Sequence, residues 1–177
     1  FVPVRDIAAI GVAVVAIATV RRTNVKLDLL GPAIGAIGLI AAAVHATDGV
    51  GNISTNLLRV AVGTVFLGAI SDAMLLGHWY LVQPGMPRSI LNELVNALRW
   101  ILPIEIAVML IPTGMISVLT GAVDDGWNGT LGWFWVACAI TTAVLIEVTR
   151  AALKERSYSA VMAATGLLYL AILTAFG

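Results

Sequence analysis

Residues 126–146 and 157–177 contain no Asp, Glu, Lys or Arg, and neither do 29–47 or 106–123. These long uncharged stretches constrain the chain more than any other feature. A soluble helix keeps one polar face, whereas a helix apolar all round must be buried or lie in hydrocarbon. Crossing roughly 30 Å of hydrocarbon takes about 20 apolar residues, and such stretches recur along the whole chain. Composition chooses between the two environments. Of the 177 residues, 60% are hydrophobic and 11% charged, against about a quarter charged in an ordinary soluble domain. A soluble fold of this size cannot hide so much apolar surface, so hydrocarbon is the expected solvent. The expected fold class is all-α integral membrane, a six-transmembrane helix bundle forming one domain over 1–177.

Spans are expected at about 4–20, 29–46, 57–81, 98–120, 131–149 and 158–176. "DGVGNISTN" (48–56) and "DDGWNGTLG" (124–132) read as turns, and "QPGMP" (83–87) as a strong helix breaker. The apolar core 7–20 resembles the centre of a signal peptide, but "RRTNVK" follows where a small-residue cleavage site would stand. It is read as a span, and a short one: either Phe1–Val4 belong to it or residues are missing nearby. Arg21, Arg22 and Lys26 follow span 1, Arg88 and Arg99 lie between spans 3 and 4, and Arg150, Lys154 and Arg156 lie between 5 and 6. The other connections hold Asp48, Asp124 and Asp125, with Arg59 at a helix start. All basic clusters fall on one side, which the positive-inside rule makes cytoplasmic, with both ends of the chain extracytoplasmic.

"ILNELVNALRW" (90–100) is amphipathic. Asn92, Glu93, Asn96 and Arg99 recur at helical spacing, with Leu91, Leu94, Val95 and Leu98 on another face. A separate interfacial helix over about 90–100 is expected; the alternative is the wet start of a longer span 4. Gly31 and Gly35 form a G-x-x-x-G pair in span 2, and Gly63, Gly68 and Gly77 mark span 3. Small residues let helices approach closely in lipid, so spans 2 and 3 are expected to pack, or to offer a dimer face. Pro103 and Pro112 are expected to kink span 4.

An ionisable residue at membrane depth is expensive and so is a functional candidate. Asp72 and Glu105 lie well inside spans 3 and 4. Glu147 sits nearer the end of span 5, three residues before Arg150. Arg99 is placed to reach Asp72 or Glu105. With His78, these residues could share one layer, either as a proton or cation relay or as a charge network locking spans 3, 4 and 5 together. His78 is followed by Trp79 and Tyr80, as an aromatic belt at a membrane interface requires. As a haem ligand it lacks a mate: the other histidine, His45, falls at the opposite end of the threading, so an axial partner would come from another chain. His45, Asp48, Asp124 and Asp125 form a metal candidate on the outer side if two loops converge. Cys138 is the one cysteine, which rules out a CxxC site or a disulfide within the chain. Net charge is zero, with no basic run for nucleic acid. No P-loop, G-x-S-x-G or H-E-x-x-H motif occurs.

"LLGHWYLVQPGMP" (75–87) and "ATGLLYLAIL" (164–173) resemble segments of a family of uncharacterised bacterial multi-pass membrane proteins. There an LLGHWYLV-x-P segment ends one span and an ATG-LLYLA-like segment forms another. The resemblance implies a polytopic protein of the bacterial cytoplasmic (inner) membrane and carries over no activity, cofactor or catalytic residue.

The expected function is that of a non-catalytic integral subunit of a larger membrane assembly, a respiratory or other energy-coupling complex. The alternative is a small transporter or proton/ion-conducting protein using Asp72 and Glu105. A third reading is a redox protein with His78 as ligand, sharing a haem or quinone with a partner chain. Expected partners are membrane lipid and other membrane subunits or further copies of the chain, with no cofactor of its own.

Overall fold

The computed structural model describes residues 2–21, 25–46, 52–83, 85–111, 114–124, 126–127 and 129–175. Helices follow one another throughout: α1 (Val2–Thr19), α2 (Val25–Asp28), α3 (Leu30–His45), α4 (Ile53–Val82), α5 (Ser89–Leu110), α6 (Gly114–Leu119), α7 (Thr130–Lys154) and α8 (Tyr158–Ala175). No strand occurs among the described residues. Four helical stretches among them are long and apolar enough to cross a membrane: Lys26–His45, Ile53–Val82, Thr130–Lys154 and Tyr158–Ala175. Each falls on an expected span. The remaining two expected spans map onto α1 and onto α5 with α6, which do not join those four. α5 carries Glu93, Arg99 and Glu105 within its length. The chain divides into two compact units, Phe1–Ala61 and Val62–Gly177, the boundary falling inside α4.

In the first unit α1 and α3 form an antiparallel hairpin. Contacts pair Ala8 with Gly38, Val12 with Gly35 and Val15 with Gly31, so residue numbers rise along one helix as they fall along the other. The closest approach is at Gly38, where an added Cβ would stand 2.8 Å from the Ala8 methyl. A small residue is thus needed at Gly38. Gly31 and Gly35 have ordinary van der Waals room, their built Cβ atoms lying 4.0 and 3.7 Å from valine methyls of α1.

The second unit gathers the later part of α4 with α5, α7 and α8. Each contributes a stripe repeating at three and four residues, the pattern of side-by-side helices. The stripes are Phe66, Ile70, Ala73, Gly77 and Tyr80; Leu91, Val95, Leu98 and Leu102; Thr142, Ile146, Thr149 and Leu153; and Val161, Ala164, Leu168 and Ala171. Gly77 meets Thr165, whose hydroxyl would lie 2.7 Å from an added Cβ. Buried threonines do not need polar neighbours here. Thr142, Thr149 and Thr165 each donate to the carbonyl four residues back, at 2.9, 2.7 and 2.8 Å. Outward faces remain apolar, with Val65, Leu75, Trp100, Phe134, Ile140 and Leu173 all exposed. Apolar residues both inside and outside are the signature of a lipid-facing bundle rather than a water-facing one.

The expected separate helix over 90–100 is the first half of α5, which runs unbroken from Ser89 to Leu110. The reason is the buried stripe. Leu91, Val95, Leu98 and Leu102 lie on one continuous seam that crosses from the amphipathic half into the apolar half. Pro103 sits inside this helix. Span 4 does not continue through position 111: Ile111 is extended, at φ −93° and ψ 144°, as expected for the residue before a proline. α6 resumes beyond it. Pro112 itself, like Pro84, lies outside the described residues.

One end of the second unit is tied by side chains. Arg88 donates to the carbonyls of Glu155, Arg156 and Ser157 at 2.9, 3.1 and 3.3 Å. Tyr158 donates to the Leu81 carbonyl at 2.9 Å, and the buried Tyr80 hydroxyl donates to the Pro87 carbonyl. The α4–α5 and α7–α8 connections are therefore held side by side, with Gly85 turning the first at φ 120°.

Candidate functional site

The candidate polar residues do not join in one contact network among the described residues. They separate into a charge cluster, a cavity carboxylate and two exposed side chains.

The cluster joins α5 to α7. Arg99 Nε lies 2.9 Å from Glu147 Oε1, and Arg150 Nη1 lies 2.6 Å from Glu147 Oε2. Arg150 Nε also donates to Asn96 Oδ1 at 2.9 Å. Asn96 and Arg99 are three residues apart on α5, as are Glu147 and Arg150 on α7, so each pair shares a helical face. Arg99 and Glu147 side chains are both 50% exposed and Arg150 25%. Such accessible ion pairs add little stability, at most about 1 kcal/mol each, and mainly fix the register of α5 against α7. Arg99 thus serves Glu147, not Asp72 or Glu105.

Glu105 stands apart. It is half-buried on α5, against Gly63 of α4, whose added Cβ would lie 3.4 Å from Glu105 Oε1. Glu105 Oε2 is buried and has no hydrogen-bond partner among the described residues. The same side chain lines a cavity of about 80 Å³ together with Trp135, Cys138, Thr142 and Thr174. That volume holds a few waters. The Thr142 and Thr174 hydroxyls meet at 2.7 Å across α7 and α8. An acceptor-only carboxylate facing a small polar niche can hold a proton, a water or a small cation.

Asp72, on α4, is exposed and makes no hydrogen bond or ion pair among the described residues. His78, further along α4, is likewise exposed, beside Trp79, whose indole donates to Gln83 Oε1 at 3.2 Å. Gly63 faces Glu105, while Gly68 has open space around it. His45 ends α3. Asp124 Oδ1 accepts from the Gly126 amide at 2.9 Å, an ordinary turn contact. Asp48 and Asp125, as well as Arg22, lie outside the described residues. Among the described residues no three His, Cys, Asp or Glu side chains converge as a metal site requires.

The structure also brings forward residues that were not site candidates in the sequence: Arg88 as the tie between connections, Thr142 with Thr174 beside the cavity, and Asn92 and Lys154 next to the charge cluster. A signal was present for the last two. Asn92, Asn96 and Arg99 recur at four and three residues, and Glu147, Arg150 and Lys154 at three and four, which marks two polar stripes able to face each other. Compared with known proteins, the chain matches no protein-family model, no curated protein and no solved structure.

Proposed function

We propose that this chain is a six-span integral protein of the bacterial cytoplasmic membrane that serves as a non-catalytic subunit of a larger membrane assembly, a respiratory or other energy-coupling complex. Asp72 carries the reading. It lies ten residues before the end of α4 at Val82, ~15 Å along the helix axis. An aspartate side chain is too short to reach water from that depth, and hydrocarbon accepts a carboxylate only at a cost of about 2.5–3.5 kcal/mol or more. An exposed, unpartnered aspartate among exposed apolar residues is best accounted for by a second polypeptide covering it. The polar tie between the two basic connections, 83–88 and 155–157, supports a common cytoplasmic side for them.

The test is purification in mild detergent, with mass spectrometry and a visible spectrum of the same fraction. Stoichiometric membrane subunits are expected to co-elute and to be lost from Asp72→Lys. A colourless fraction holding this chain alone refutes the reading. A Soret band that follows the chain would instead revive His78 as a ligand shared with a partner.

The Glu105 niche favours a second reading, a proton- or cation-conducting protein. Its expectation is ion flux in reconstituted vesicles that Glu105→Gln abolishes.

A further inference from the structure

The groove between α5 and α7 differs in chemistry from the apolar flanks of the second unit. It has a volume of about 340 Å³ and is lined by Asn92, Val95, Asn96, Arg150, Leu153 and Lys154. No carboxylate is among these residues. Arg150 commits Nε to Asn96 and Nη1 to Glu147, so Nη2 is left without a hydrogen bond among the described residues. The Lys154 ammonium and the Asn92 amide make none there either. Asn96 accepts through its oxygen, which leaves its amide nitrogen as a donor. The groove therefore offers guanidinium, ammonium and amide donors over a floor of valine and leucine.

Glu147, the carboxylate paired with Arg150, is also held by Arg99, so that trio keeps a net positive charge. A helix C-terminus ordinarily repels an anion. At α7, which ends at Lys154, the Ala152 carbonyl accepts from the Glu155 amide, and Arg88 holds the carbonyls of Glu155, Arg156 and Ser157 just beyond the helix, so a cation stands close to this end. Several convergent donors, two of them cationic, match a group that presents several acceptor oxygens on one centre.

We propose that this groove binds a phosphate group. The phosphate of an acidic lipid headgroup and soluble phosphate present the same oxygens. The lipid source draws on α7 being long and apolar enough to cross a membrane, with this groove at its end, whereas the phosphate chemistry stands on the groove alone.

The test uses the full chain in mild detergent, stripped of lipid and examined by native mass spectrometry. Phosphatidylglycerol, phosphatidylcholine and inorganic phosphate are added separately and then in competition. Retention of phosphatidylglycerol over phosphatidylcholine is expected, and Lys154→Gln should weaken it roughly fivefold, the effect of one cation near a lipid headgroup. Asn92→Ala should weaken it further. Neither side chain bonds to the rest of the fold, so both variants should keep the parent melting temperature without lipid. Phosphatidylglycerol that survives excess inorganic phosphate assigns the site to lipid. Binding of inorganic phosphate with no lipid preference, lost in the same variants, assigns it to a soluble phosphate. Absence of both kinds of binding overturns the proposal, as does a lipid preference that both variants retain.

Discussion

Gly77→Ala tests the packing of the second unit most directly. An alanine Cβ at this position would stand 2.7 Å from Thr165 Oγ1 and 3.4 Å from both Thr165 Cβ and Cγ2. Thr165 is 2% exposed, and its hydroxyl is bonded to the Val161 carbonyl. A β-branched side chain in a helix has few alternative rotamers, so α4 and α8 must separate. Overpacking of this kind costs about 1–3 kcal/mol. Alanine recovers up to about 1 kcal/mol through helix propensity, so the net loss is ~1–2 kcal/mol, a fall of roughly 2–8 °C in melting temperature. In a Thr165→Ala background only the 3.4 Å approach to Cβ remains, and Gly77→Ala should become neutral or stabilising. The two substitutions should thus couple by about 2 kcal/mol, within the range for contacting residues. Cys138 is the only cysteine and is buried, so a thiol-reactive dye reports unfolding in detergent without further labels. Equal losses in both backgrounds would refute the close approach of α4 and α8.

Other substitutions separate the remaining contacts. Arg88→Ala should loosen the joined connections, at a loss of ~2 kcal/mol for a charged donor serving three carbonyls, and Arg88→Lys should restore little because it lacks the guanidinium fork; melting curves of the two variants check this. Gly38→Ala should speed hydrogen exchange in peptides covering α1 and α3 through its 2.8 Å clash with Ala8, while Gly35→Ala, at 3.7 Å from Val12, leaves exchange unchanged. Glu147→Gln should lower stability by no more than about 1 kcal/mol, since its pairs are exposed, and the difference should shrink in high salt. Glu105→Gln should raise the melting temperature by a few degrees, because it removes a charge from a buried oxygen that has no partner; a fall would mean the charge is satisfied.

Local features were legible in the chain because each rests on neighbours in sequence. Charge-free stretches gave the helices, and Gly/Asn/Asp segments gave their ends. Leu91, Val95 and Leu98 were visible as an apolar face of α5, and Glu147 with Arg150 as a pair three residues apart. The continuity of α5 was harder to read, because polarity changes along it while its buried seam does not. That seam is recognised only once α5 lies against its neighbours.

Pairing between helices follows from rotation about each helix axis, which sequence depth does not give. Arg99 and Glu105 lie on the same helix, but six residues at ~100° each leave them about 120° apart around α5. Arg99 therefore turns to Glu147, and Glu105 turns toward Gly63 and the small cavity. Glycine roles divided for the same reason. Gly38 and Gly77 are tight because Ala8 and Thr165 happen to stand opposite them, while Gly68 faces open space. Sequence alone determined that this chain is helical and suited to hydrocarbon, since apolar composition and helical period are local properties. Tertiary structure alone decided which carboxylate is paired, which faces a cavity and which is exposed, since those outcomes depend on which face each helix presents to the next.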